Sequence, residues 1–187
     1  MAFKFPWSKE SHGDDPYWDF FVNTQPADMT NTVIELIRKA PPGNVFPTKT
    51  ELHTPAITAS HVKGMALYFG SERTGILALG DGAPDNAEKF PFAILCAVRD
   101  DYDARSAKGI GGQMPVQNGL FITFVLSSWI RELGFRAKIV RDHDFDAMAG
   151  KAGMGTLNGN GRLVTQQFGT NIYVADAVYT DMPMKAD

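Results

Sequence analysis

The stretch Ala152–Pro183, AGMGTLNGNGRLVTQQFGTNIYVADAVYTDMP, decides how the rest of the chain is read. Its first half sets Gly153, Gly155, Gly159 and Gly161 close together, with Asn158 and Asn160 between them. Glycine adopts positive φ without penalty and lets backbone approach a ligand closely, and asparagine is the next most tolerant residue. Such a run can turn consecutive N–H groups into one concavity, suited to anions or to the amides and phosphates of a large cofactor. The run leads into two strand candidates, Arg162–Thr165 and Asn171–Thr180. A glycine loop fixed between regular elements reads as a cofactor clamp, with a tight multi-turn connection lacking any ligand as the alternative.

Upstream of this stretch, Phe145–Gly150 reads as a short helix delivering the glycine run, and Arg136–Val140 as a strand. Before them lies the strongest helix signal, Val116–Leu133, with Pro115 in its first turn and Gly134 at its end. Leu120, Phe121, Phe124, Val125, Trp129 and Leu133 give it a broad apolar face, and GIGG at Gly109–Gly112 reads as a hinge before it. Phe92–Val98 and Thr74–Leu79 are apolar runs of strand length, joined by a Gly/Asp/Pro-rich loop. Thr58 or Ser60 caps a helix carrying Val62, Met65, Ala66 and Phe69 at helical spacing, closed by Gly70. Thr32-x-x-Glu35 fits a capping box for a short helix that Pro41-Pro42 ends. Residues 1–28 form an irregular arm with Trp7, Tyr17, Trp18, Phe20 and Phe21, suited to pinning against the domain or a second copy of the chain. The expected architecture is a single α/β (α+β) domain over residues 29–187, a sheet flanked by helices. The order of elements lacks the strict alternation of a Rossmann domain, and Asn158 replaces the third glycine of that fingerprint.

Composition narrows the function. The 187 residues carry a net charge of −3, which gives no electrostatic footprint for nucleic acid. No apolar run approaches membrane-spanning length and the N-terminus lacks a signal-peptide core, so the expected location is the cytoplasm. A single cysteine, Cys96 in FAILCAV, excludes an intrachain disulfide and a cysteine-held zinc or iron–sulfur cluster. Its place in an apolar run makes it a small buried hydrophobe rather than a nucleophile. Asp100, Asp101 and Asp103 lack the spacing of a calcium loop and read as a solvated turn, so no metal ligands are assigned.

Three stretches taken together resemble the cobalamin-dependent reductive dehalogenases and epoxyqueuosine reductase. Ala152–Pro183 is similar to their AGLGxxGxxGLLITPxxGxRxRLxxVxTDLP segment. Ser128–Phe135 (SWIRELGF) is similar to the helix end IRxLGY, and His61–Ile76 to a HIKxAAxFxGADxVGI helix–strand unit. The resemblance runs in order over about residues 57–184. It implies a nitroreductase-like domain holding base-off cobalamin, with Gly153, Met154, Gly155, Asn158, Gly159, Gly161, Leu163, Thr165 and Gly169 near the cofactor. The family's ferredoxin-like segment follows the TDLP motif; this chain ends at Asp187 without the cluster cysteines. Electrons are then expected from a separate donor protein or a small reductant.

The resemblance also implies an altered pocket. The family's catalytic tyrosine falls on Val116, its pocket asparagine near Asp142-His143, and its pocket arginine on Tyr173. Asp142 and His143 are the candidate acids, the latter also a candidate axial ligand, and a polar turn in RDHDFD is the alternative. Tyr173 is a candidate hydrogen-bond donor above the cofactor, or packing. The leading expectation is a corrinoid-binding domain, acting as a reductase with an external donor or as a carrier or sensor. The alternatives are an FMN-dependent oxidoreductase, with only Lys4, Lys9 and Arg38 available for a phosphate, and a non-catalytic interaction domain dimerising through the arm.

Overall fold

Strand Phe92–Arg99 (β2) is the centre of the fold, because it is apolar at every position from Phe92 to Val98 and is covered on both faces. The computed structural model describes residues 30–105 and 109–187, so the aromatic arm lies outside the described residues. Around β2 a four-stranded sheet assembles in the order β1-β2-β6-β3, with β1 at Arg73–Ala78, β3 at Ala137–Val140 and β6 at Ile172–Thr180. Every neighbouring pair is antiparallel.

Alternate residues of β2 feed two cores. Ile94, Cys96 and Val98 face one layer with Val62, Ala66, Ile122, Leu126 and Ile130. That layer comes from helix α2 (Pro55–Tyr68) and the long helix α3 (Ile110–Glu132). Ala93, Leu95 and Ala97 face the other, against Phe145, Ala149, Met154 and Leu163. There the cover is the short helix α4 (Asp146–Lys151) and a two-stranded hairpin, β4 (Thr156–Leu157) with β5 (Leu163–Val164). A short helix α1 (Glu35–Lys39), preceded by a π-helical turn at Thr30–Ile34, packs against α3. The mixed α/β layering is thus a four-stranded sheet with helices on both faces, the β4–β5 hairpin joining the cover on one of them.

The strand runs lie within a residue or two of their expected bounds; two helix starts do not. α2 begins at Pro55, with Thr54 as N-cap, because proline's fixed φ and missing N–H suit the first helical position. Thr58 is therefore inside the helix and buried, its hydroxyl on the His53 carbonyl at 3.3 Å. α3 begins at Ile110, so GIGG is its first turn rather than a hinge, and Pro115 stands inside it. Its buried face runs through Leu120, Ile122, Leu126 and Ile130, while Phe121 is 49% exposed. The reason is that Thr123 and Ser127 enter the core with their hydroxyls turned back to helix carbonyls, at 3.1 and 2.9 Å. The helix does not start at Thr32 as a capping box would have it, since Thr32 already lies in the π-helical turn and Ile34 is the N-cap of α1.

One irregularity matters for function. Leu95 pairs with Ala177 but Ala97 pairs with Val174, so Cys96 faces both Ala175 and Asp176 across a β-bulge. The bulge reverses the phase of β6: Ile172 and Val174 before it, and Ala177 and Tyr179 after it, lie in the same core. Ala175 is thrown against α3, where a Cβ on Gly119 would come within 2.6 Å of the Ala175 Cβ.

Candidate functional site

The glycine-rich stretch folds as the β4–β5 hairpin and the turn that follows it. Asn158 closes the tip: its Oδ1 accepts from the amides of Asn160 and Arg162 at 2.9 and 3.0 Å. Its carbonyl accepts from Gly161 and its amide donates to Arg162 at 2.9 Å each. Gly153 and Met154 donate to Gly150 and Ala149 at 3.1 and 3.0 Å, and Thr165 and Gly169 exchange bonds at 2.9 and 2.8 Å. The expected row of free amides is therefore largely consumed inside the loop, because one asparagine carboxamide serves as the acceptor that a ligand would have supplied.

The nine residues assigned to a cofactor divide by burial. Met154, Leu163 and Thr165 are buried, with Met154 and Leu163 in the core beneath the hairpin. Gly155 is tight against protein, since a Cβ there would lie 2.3 Å from the Val164 carbonyl oxygen. Gly153, Gly159, Gly161 and Gly169 are exposed, and an added Cβ would meet nothing within 4 Å. Asn158 is half-buried between the two groups. The open glycines leave bare, exposed backbone at the hairpin tip (Gly159, Gly161) and at points before and after it (Gly153, Gly169).

A chain of charges ties this hairpin to β6. Arg162, at the start of β5, pairs with Asp103. Two residues on, Arg105 pairs with the buried Asp146 at 2.7 Å and lies over the Tyr173 ring at 5.1 Å. Burial pushes the Tyr173 phenol up, with Asp176 and Asp100 adding to it and Arg105 and Arg38 opposing. Asp176, on the bulge, is 1% exposed, and its Oδ2 is 3.9 Å from Nε of Arg141. Burial raises its carboxyl to about 6 against the pull of Arg141 and Arg38. Its Oδ1 has no hydrogen-bond partner among the described residues, nor do the Nε atoms of Arg38 and Arg141. Asp100 and Asp146 are buried too, and burial is the leading cause that raises both. The arrangement puts the titration of Asp176 near pH 6, well above an ordinary carboxylate, beside a phenol that stays protonated at neutral pH.

The three catalytic candidates separate. Tyr173 is half-buried inside this cluster. Asp142, with φ of +60°, turns to Arg38 at 3.8 Å and touches the cluster from its exposed side. His143 turns the other way, with Nε2 at 2.7 Å from Asp85 in the β1–β2 loop. Asp176 and Arg141 escaped the sequence reading. The available signal was an aspartate within the apolar run IYVADAVYT, two residues on from Val174 and four from Ile172, so that alternation sets a charge on the core face where burying it is costly. Cys96 is fully buried, its thiol pushed up to about 12 by burial.

Similar solved structures agree on this architecture. NpRdhA, a catabolic reductive dehalogenase in complex with 3-bromo-4-hydroxybenzoic acid, aligns with a TM-score of 0.69 at 19% identity, over 85% of this chain and 26% of its own. A further reductive dehalogenase structure, described as suggesting a mechanism for B12-dependent dehalogenation, gives 0.67 at 22% identity, over 87% of this chain and 25% of its own. The fold is shared. Epoxyqueuosine reductase aligns more loosely, at a TM-score of 0.53 and 14% identity over 70% of this chain and 47% of its own. The chain spans about a quarter of the length of the dehalogenases it matches. No protein-family model matches it, and no curated protein does. Among the described residues no helix is long and apolar enough to cross a membrane.

Proposed function

We propose that this chain is a cobalamin-binding domain of the reductive-dehalogenase type, with the glycine-rich stretch as one wall of the cofactor site. The observation that carries the reading is the glycine-rich stretch: bare backbone at Gly159 and Gly161 of the hairpin tip and at the flanking Gly153 and Gly169, linked through Arg162, Asp103 and Arg105 to the Tyr173–Asp176 cluster. The residues fit a large cofactor by contact rather than by charge, since the amides are used internally while the glycine surface admits a broad group without a side chain in its way. The B12 dependence named for one similar structure supports the choice of corrinoid. When bound, cobalamin supplies a cobalt centre that accepts and passes on electrons.

The chain's own residues then hold and deliver protons. Asp176 takes up a proton only as pH falls through about 6, Tyr173 keeps one on Oη at neutral pH, and Arg105 lies over the Tyr173 ring. Asp142 screens Arg38 from the solvent side, and His143 stays outside the cluster with Asp85. A reductase of this kind takes its electrons from an external donor; without one the domain serves as a carrier or sensor.

Visible absorption titration of the protein with hydroxocobalamin, run in parallel with FMN, tests the reading. A saturable shift to the base-off spectrum is expected, weakened at least about tenfold in Gly159→Leu, which adds a side chain where there is open space. Saturable FMN binding with no corrinoid binding would move the protein to the flavin class.

A further inference from the structure

A buried cation with neutral partners lines a groove on the opposite side of the sheet from the hairpin. Strand β3 is an edge strand, and between it, the end of α1 and the last turns of α3 lies a cavity of about 410 Å³. Arg131 lines it while only 4% exposed. Its guanidinium donates to the Ala137 carbonyl at 3.2 Å and the Ser128 hydroxyl at 3.1 Å, neither of which carries charge. Among the described residues its hydrogen bonds go to dipoles alone, a costly state for a buried charge, and an anion in the adjacent space would relieve that cost.

The other charged groups of the groove have partners of their own. Lys138 pairs with Glu88 at 3.1 Å. Arg141 turns to Asp176 at 3.9 Å and to the Arg38 carbonyl at 2.6 Å. Among the described residues, what remains for a ligand is Arg131 and the apolar surfaces of Pro42, Phe124 and Ile139. The volume falls within the range of about 300–1,000 Å³ usual for small-molecule sites.

We propose that this groove binds a small amphipathic monocarboxylate, its carboxylate on the Arg131 guanidinium and its apolar body against Phe124 and Ile139. The groove lies on the α3 face of the sheet, opposite the hairpin, and shares Arg141 with the Tyr173–Asp176 cluster.

Isothermal titration with octanoate tests the proposal, with octan-1-ol as the neutral probe of equal chain length. Octanoate is expected to bind saturably and octan-1-ol at least about tenfold more weakly, as the loss of one charge-assisted contact requires. Arg131→Gln removes the charge, and Ala40→Phe fills the groove while leaving Arg131 in place; both should weaken octanoate binding at least about tenfold. Circular dichroism checks that each variant is folded, and Ala40→Phe decides if Arg131→Gln is not. Absence of octanoate binding, equal binding of the alcohol, or wild-type affinity in the folded variants would overturn the proposal.

Discussion

Gly155 and Gly159 belong to one loop and do opposite things. At the base of the hairpin, Gly155 is a packing residue: the Val164 carbonyl occupies the place its side chain would need, at 2.3 Å. At the tip, Gly159 has open space around it. Glycine content alone cannot separate the two, because the same missing Cβ admits either a neighbouring strand or a ligand. The lesson extends to the loop's amides. A run of glycine and asparagine was expected to present free donors, yet Asn158 Oδ1 takes two of them.

Four substitutions sharpen the contrast. Gly155→Val should cost the most, about 3 kcal/mol or more in urea unfolding, because its nearest obstacle is backbone that cannot rotate aside. A loss of cofactor binding in that variant would report a broken hairpin, so stability unchanged from wild type would sink the packing assignment. Asp176→Asn comes next and depends on pH. The folded carboxyl is raised from 3.8 to about 6, so folding takes up a proton between these values. Stability from this group is therefore present below pH 4 and is lost as pH rises through about 6, by about 3 kcal/mol at most. The asparagine variant should lose that slope and gain stability at neutral pH relative to wild type. Parallel melting curves of the two proteins across pH 4–8 would break the idea.

Gly119→Ala should cost about 2 kcal/mol, since its methyl would meet the Ala175 Cβ at 2.6 Å where α3 crosses the bulge. Chemical denaturation measures it, and a neutral result would mean that helix and bulge can part freely. Gly159→Ala should change stability by less than about 0.5 kcal/mol, the smallest effect of the series. A large loss there in thermal unfolding would mean that the tip, like the base, is structural.

The elements that were legible are those whose signal is local. FAILCAV has apolar residues on both faces and strand length, and no tertiary contact is needed to read it as a buried strand. The Phe145–Gly150 helix and the β1, β3 and β6 runs are of the same kind, each within a residue or two of its observed bounds. The face of α3 was read through its aromatics, Phe121 and Phe124 among them, but the core takes Ile122, Leu126 and Ile130. Large size marks a residue as apolar without saying which neighbour lies opposite.

Chain order and composition were enough for the class of fold, the apolar strands and the inert cysteine, because these follow from burial patterns within a single segment. Tertiary contact alone placed the bulge opposite Cys96, which carries Asp176 to Arg141 and Tyr173 to its place under Arg105. Those residues come from β6, the end of β3 and the turn after β2, separated by tens of positions in the chain. A pKa of about 6 on an aspartate requires all of them at once: desolvation from the packed strands and only partial compensation from Arg141 and Arg38. No local pattern encodes a register shift of one residue, since the alternation on either side of it is regular.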